Sequence, residues 1–232
     1  MIGLRIEKKH FAWPKLLGSM MTMMTTNINR LLDYLDELFP LAKCELFYSK
    51  DYELVIAVML SAQTTDKSVN AVTPILFKKY SSLDELNNAP LEDIEEILKP
   101  IGLYKNKAKN LKGIVKDLIE RFNYVVPSNK DELMTLPGVG NKTAGVIRAE
   151  IFKIPDLPVD THILRIAKRL KFAKKDDEPI DVERKLKKII PEQRWIKSHH
   201  QLIHFGRYFC TARSPQCQNC KIKDMCMNYR EK

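Results

Sequence analysis

No stretch of the chain is apolar over the roughly 18 residues that a membrane-spanning helix needs, so a soluble protein with no membrane partner is expected. Glycine is scarce, at 8 of 232 residues, and alternating valine-rich runs are few, which tilts the fold class towards all-α. Acids are outnumbered: 29 Asp and Glu face 39 Lys and Arg, a net charge of +10. Such a surplus suits a polyanionic partner, although charge alone does not separate nucleic acid from an anionic membrane. Only five cysteines occur, and four of them crowd into residues 210–226. An odd total gathered at one end speaks against a secreted disulfide scaffold and for a metal site in a reducing compartment. Internal repeats and low-complexity tracts are absent.

Residues 1–26 differ from the rest of the chain. Their apolar stretch is broken by Pro14 and Lys15, which makes a poor signal peptide. The expectation is a loosely ordered extension, with Met20, Met21, Met23 and Met24 allowing a start further in. Organelle targeting by its basic residues is not favoured, and the cytoplasm is the expected location.

From Asn27 the pattern firms. Ile28, Leu31, Leu32, Leu35, Leu38 and Phe39 form one helical stripe ended by Pro40. Cys44 reads as a small core hydrophobe. Residues 52–61, YELVIAVMLS, are apolar nearly all round, as in a buried central helix. Gln63 follows at a helix end, with Thr65 or Asp66 as the next N-cap. Ser82 and Asn88 are read as caps of two short helices, with Pro90 in the first turn of the second. Residues 101–116 then carry five lysines and no acid. Such a run is most often a solvated helix face, but Leu103 and Tyr104 beside the Gly102 turn make a DNA-facing edge credible.

The stretch around which the chain is organised is Leu136 to Ile147, LPGVGNKTAGVI. Asn129 caps a short helix before it, Pro137-Gly138 and Gly140-Asn141 are turn signals, and an apolar helical run follows. Glycine at 138 and 140 is read as allowing positive φ and close backbone approach. The second helix then aims free N–H groups at one point, a phosphate site without a charged side chain. Lys142 occupies its first turn, where the helix dipole opposes a cation. A local rule broken in this way marks function, and a neutral lysine is a nucleophile; a solvated lysine beside a loop is the plain alternative. A Walker-type phosphate loop is excluded, because four residues are missing between the first glycine and a Gly-Lys pair.

Pro155 and Pro158 mark a crossing, and Asp160 then heads VDTHILRIAKRL as an N-cap. Capping keeps its carboxylate ionised and fixed, so it does not exclude chemistry. Cys210, Cys217, Cys220 and Cys226 are spaced C-x6-C-x2-C-x5-C. Four thiolates suit either a tetrahedral zinc or an iron–sulfur cube, and the unequal gaps favour the larger cluster. His204 nearby reads as structural, not as a fifth ligand.

Together these stretches resemble the endonuclease III family of DNA glycosylases, in the helix–hairpin–helix superfamily. The resemblance rests on LSAQTTDKSVN (60–70), IGLYKNKAKN (101–110), LPGVGNKTAGVI (136–147), VDTHILRI (159–166), HFGRYFC (204–210) and the four-cysteine loop. It covers the chain from about Asn27 onward, with 1–26 outside it. It implies an all-α, two-lobed fold with a DNA cleft between the lobes. A six-helix lobe would span 44–154, with its helix–hairpin–helix at about 129–152. Residues 27–43 and 155–232 would form the other lobe and carry a 4Fe–4S cluster on Cys210, Cys217, Cys220 and Cys226.

The resemblance further implies Lys142 as nucleophile and Asp160 as essential carboxylate. Gln63 and Leu103 would fill and wedge the gap left by an everted nucleotide, and Gly138, Gly140, Thr143, His162, Arg207 and Arg213 would meet the DNA. Ser214 departs from the pattern, where a second basic residue is expected after Arg213. The implied activity is bifunctional: removal of oxidised or ring-saturated pyrimidines from duplex DNA, then cutting 3′ to the abasic site by β-elimination. The expected state is a monomer. Rival readings are a mismatch-specific glycosylase of the same superfamily, acting on uracil, thymine or adenine, and a non-catalytic DNA-binding module. The mismatch-adenine relatives lack the lysine and carry an extra C-terminal domain, whereas this chain ends six residues after Cys226.

Overall fold

The computed structural model describes residues 13–230, and among them there are helices and no strands. The first helix, α1, runs Trp13–Leu38. The stripe read from Asn27 is therefore the C-terminal half of a longer helix, with Ile28, Leu31, Leu32 and Leu35 buried. Pro14, read as a break, sits in the first turn, where a missing N–H removes no helical bond. The expected extension over 1–26 thus overlaps α1 from residue 13, and its first twelve residues lie outside those described.

Helices α2 (Asp51–Leu60), α3 (Asp66–Lys79), α4 (Leu83–Asn88), α5 (Leu91–Leu98) and α6 (Tyr104–Glu120) come next. After them are α7 (Lys130–Met134) and α8 (Asn141–Phe152). Their buried faces form one apolar cluster from Leu46 to Ile147, built around α2, which is buried from Glu53 to Leu60. The expected six-helix lobe holds seven helical segments once the five-residue α7 is counted. Local capping sets the starts: Thr65 Oγ1 accepts from the Ser68 amide at 3.2 Å and Ser82 Oγ from that of Glu85 at 3.1 Å. Asn88 is not a cap. It ends α4, and Pro90 stands at the N-cap of α5, ahead of the first turn where it was expected. Proline supplies its fixed φ there and needs no amide partner.

Helices α9 (Thr161–Arg169), α10 (Pro179–Ile189), α11 (Trp195–His204) and α12 (Met227–Arg230) complete the chain. A second cluster joins Ile28–Leu35 of α1 to buried residues between Leu157 and Met225. The polypeptide therefore leaves one core, builds another and returns. Helix α11 runs into a single π turn, Phe205–Phe209, closed by the Cys210 amide on the Phe205 carbonyl at 2.6 Å. Turns of this kind concentrate at functional sites. Among the described residues no helix is long and apolar enough to cross a membrane.

Candidate active site and nucleic-acid interface

The Asn129 side chain accepts from the amides of Asp131 (2.8 Å) and Glu132 (3.2 Å), starting α7 as expected. In the hairpin Gly138 has φ +76°, and a Cβ there would lie 2.6 Å from Asn110 Nδ2 and 3.1 Å from Met59 Cγ. Glycine is required at this position. Gly140 corrects the expectation: it is extended, at φ −97° and ψ −176°, and a Cβ on it would meet open space. It is the N-cap of α8 and offers no side-chain cap to the first amides of that helix. Lys142 is exposed in this first turn, and Thr143 beside it is half-buried.

Asp160 is the N-cap of α9, its Oδ1 accepting from the Ile163 amide at 2.8 Å. The capping bond leaves Oδ2 free of that duty and fixes the carboxylate. Lys142 and Asp160 line one cavity of about 720 Å³, which also takes in residues of both clusters' helices, α2 and α11 among them. Each core thus supplies one of the two groups: Lys142 from α8, Asp160 from the entry to α9.

Other cavity residues escaped the sequence reading. His199 is buried, its Nδ1 has no hydrogen-bond partner, and burial followed by the neighbouring His200 holds its pKa well below the ordinary imidazole value. Its ring meets that of His200 edge-on at 5.1 Å, and His200 Nε2 lies 2.6 Å from Glu150 Oε1. The only local signal was a pair of adjacent histidines within α11. Cys44 also reaches this wall, packed against the first cluster, its thiol pushed up to about 12 by burial.

A wider hollow of about 1050 Å³ adjoins these walls and is lined by Gln63, His162 and Arg207, among others. Gln63 (φ +55°) and Leu103 (φ +60°) both occupy left-handed backbone, and Leu103 is 58% exposed. A branched or long side chain held there carries strain of about 1–3 kcal/mol. His162 is half-buried against the π turn, where Gly206 leaves no room for a Cβ, and desolvation lowers its pKa. Arg207, on the wall of this hollow, is engaged by carboxylates: its Nη1 donates to Glu45 Oε2 at 2.6 Å and to Asp66 Oδ2 at 2.7 Å. Arg213 is exposed, as is Ser214, whose amide donates to Thr211 Oγ1 at 3.2 Å. His204 pairs with Glu45 at 3.4 Å and packs edge-on against Phe39, away from any ligand role.

The four clustered cysteines line a single cavity of about 370 Å³. Their all-thiolate donor set matches an iron–sulfur cluster. Arg169 Nη1 donates to Cys210 Sγ at 3.2 Å and to the Thr211 carbonyl at 2.8 Å, while Arg165 donates to the Cys210 carbonyl at 3.1 Å. These two arginines, one turn apart on α9, would stabilise thiolate charge.

The chain is similar to known proteins over most of its length. Residues 56–192 match the model of the HhH-GPD superfamily of base excision DNA repair proteins, and residues 210–226 match the iron–sulfur binding domain of endonuclease III. Endonuclease III of Bacillus subtilis is 46% identical over 195 residues, covering 84% of this chain and 89% of that protein. A solved non-covalent endonuclease III–DNA complex superposes with a TM-score of 0.87 at 45% identity, covering 89% of this chain and 97% of that one. A trapped endonuclease III–DNA covalent intermediate gives 0.86 at the same identity and coverage.

Proposed function

The chain belongs to the endonuclease III family, and on that premise we propose that Lys142 is its nucleophile and Asp160 its essential carboxylate. The protein is a DNA glycosylase and abasic-site lyase whose partner is duplex DNA and whose cofactor is a 4Fe–4S cluster. The reading of the residues is carried by one observation: Lys142 and Asp160, from helices of different cores, face one cavity.

The chemistry follows from that placement. Bases inside a duplex are out of reach, so the damaged nucleotide must leave the stack, at a cost least for a poorly stacked lesion. Oxidised and ring-saturated pyrimidines are such lesions, and they are the proposed substrates. Leu103 would wedge the duplex and Gln63 would plug the gap. The Lys142 lone pair then attacks C1′ as the base leaves with the glycosidic electron pair. Asp160 takes the proton released by the amine and stabilises positive charge growing on the sugar. The C1′–O4′ bond then breaks, O4′ taking up a proton as the sugar ring opens, to give a Schiff base; loss of a C2′ proton from it expels the 3′ phosphate, and hydrolysis of the imine frees the lysine.

The α8 amides with Gly138, Gly140 and Thr143 would hold a phosphate. His162 and Arg213 would meet the DNA, the enzyme would act as a monomer in the cytoplasm, and the two core clusters would be its two lobes. Cys210, Cys217, Cys220 and Cys226 would ligate the cluster, which ties the C-terminal loop into a fixed surface.

Borohydride trapping tests the assignment. Wild type should become covalently joined to a duplex carrying one ring-saturated thymine. Lys142→Ala should bind that duplex and never crosslink, and Asp160→Asn should slow base release without loss of binding. Wild type that binds lesions yet gives no adduct would overturn the catalytic reading in favour of a binding module.

A further inference from the structure

Lys107 is buried, 4% exposed, on a helix whose other lysines mostly face solvent. No carboxylate pairs with it among the ion pairs of the described residues. Its Nζ reaches instead to the hydroxyl of Thr64, 2.5 Å away and 43 residues earlier in the chain. Taking a cation out of water without a counter-charge is costly, and an apolar residue would pack there at no such cost. Burial correspondingly lowers its pKa.

The position of Lys107 explains why the charge is there. Leu103, Lys107 and Asn110 follow at i, i+4 and i+7, one face of α6. Leu103 is the left-handed residue opening the helix, and its carbonyl accepts from the Lys107 amide at 3.0 Å. Thr64 neighbours Gln63, the other left-handed residue of the interface, and its amide is fixed on the Ser61 carbonyl at 3.1 Å. Asn110 lies against Gly138 of the hairpin. One face of α6 thus meets all three segments proposed to touch the DNA around the lesion.

We propose that Lys107 is a positioning residue that couples the Leu103 wedge to the Gln63 plug, so that the two enter the duplex gap as one unit. The inference rests on the reading of Leu103 and Gln63 given above. The buried ammonium has three donors and no competing carboxylate, so it holds the Thr64 hydroxyl in one direction and resists the relaxation of either strained turn. Its action is on the strand-opening step, not on the bonds made and broken at the sugar.

The test uses the full-length holoenzyme and a duplex carrying one ring-saturated thymine opposite 2-aminopurine, whose fluorescence rises as it unstacks. Single-turnover cutting is followed in parallel. Lys107→Met keeps length and burial while removing the donors; Thr64→Val removes the acceptor and guards against a folding defect in the first variant. Each should lower the fluorescence rise and slow cutting by about ten-fold, the size expected for a charge-assisted bond. The double variant should be no worse than either single, and affinity for undamaged duplex should be unchanged. Leu103→Ala is the control for the underlying reading. If it loses the signal while Lys107→Met keeps it, the coupling is refuted and the wedge stands. If Leu103→Ala also keeps it, the wedge reading itself falls and the coupling with it. A uniform loss of affinity for undamaged DNA in Lys107→Met would make Lys107 a phosphate contact instead.

Discussion

The guanidinium of Arg207 holds the Asp66 carboxylate at 2.7 Å, which fastens the π turn ahead of the cysteine loop to the first turn of α3. Glu45 shares the same nitrogen at 2.6 Å. Removing the arginine deprives two half-buried carboxylates of their shared cation. Arg207→Met should therefore destabilise the fold by about 2–4 kcal/mol in urea unfolding. Because Arg207 is already engaged, the salt dependence of DNA binding should hardly change. Arg213→Ala should do the reverse: stability within about 0.5 kcal/mol of wild type, and a salt slope smaller by about one.

The two hairpin glycines should separate in the same way. Gly138→Ala forces a Cβ into left-handed backbone and against Asn110, and should cost about 1–3 kcal/mol of stability by thermal unfolding. Gly140→Ala meets neither obstacle and should fold as wild type. Its methyl would instead project where a phosphate approaches α8, so weaker DNA binding without loss of stability is the expected result.

Acid should loosen the joint between α1 and α11. Burial opposes ionisation of Asp36, but hydrogen bonds from Lys197, Gln201 and Arg194 prevail and lower its pKa from 3.8 to about 2. A depressed carboxylate stabilises the fold above its ordinary pKa, and that contribution is lost as pH falls through about 2. The side chain is one-third exposed, so Asp36→Asn should cost on the order of 1 kcal/mol at neutral pH after screening. The difference from wild type should shrink between pH 4 and pH 2, as urea unfolding along a pH series would record.

What could be read in the sequence was local. Asn129, Thr65, Ser82 and Asp160 cap within three residues of themselves, so their roles follow from spacing alone. The cysteine spacing and the Pro137–Lys142 turn are local in the same sense. What escaped depends on distant partners: Arg207 meets Asp66 across 141 residues, and His200 meets Glu150 across 50. The left-handed backbone of Gln63 and Leu103 also left no mark, because neither residue type favours it. Gly140 misled for a related reason, since glycine signals freedom in φ as readily as a need for empty space.

The proposed chemistry requires a covalent bond between the amine of Lys142 and the sugar. Digestion of the borohydride-trapped wild-type complex, followed by mass spectrometry, locates that bond directly. A deoxyribose adduct on the peptide carrying Lys142 is the expected result. An adduct on another lysine, with Lys142 unmodified, would contradict it.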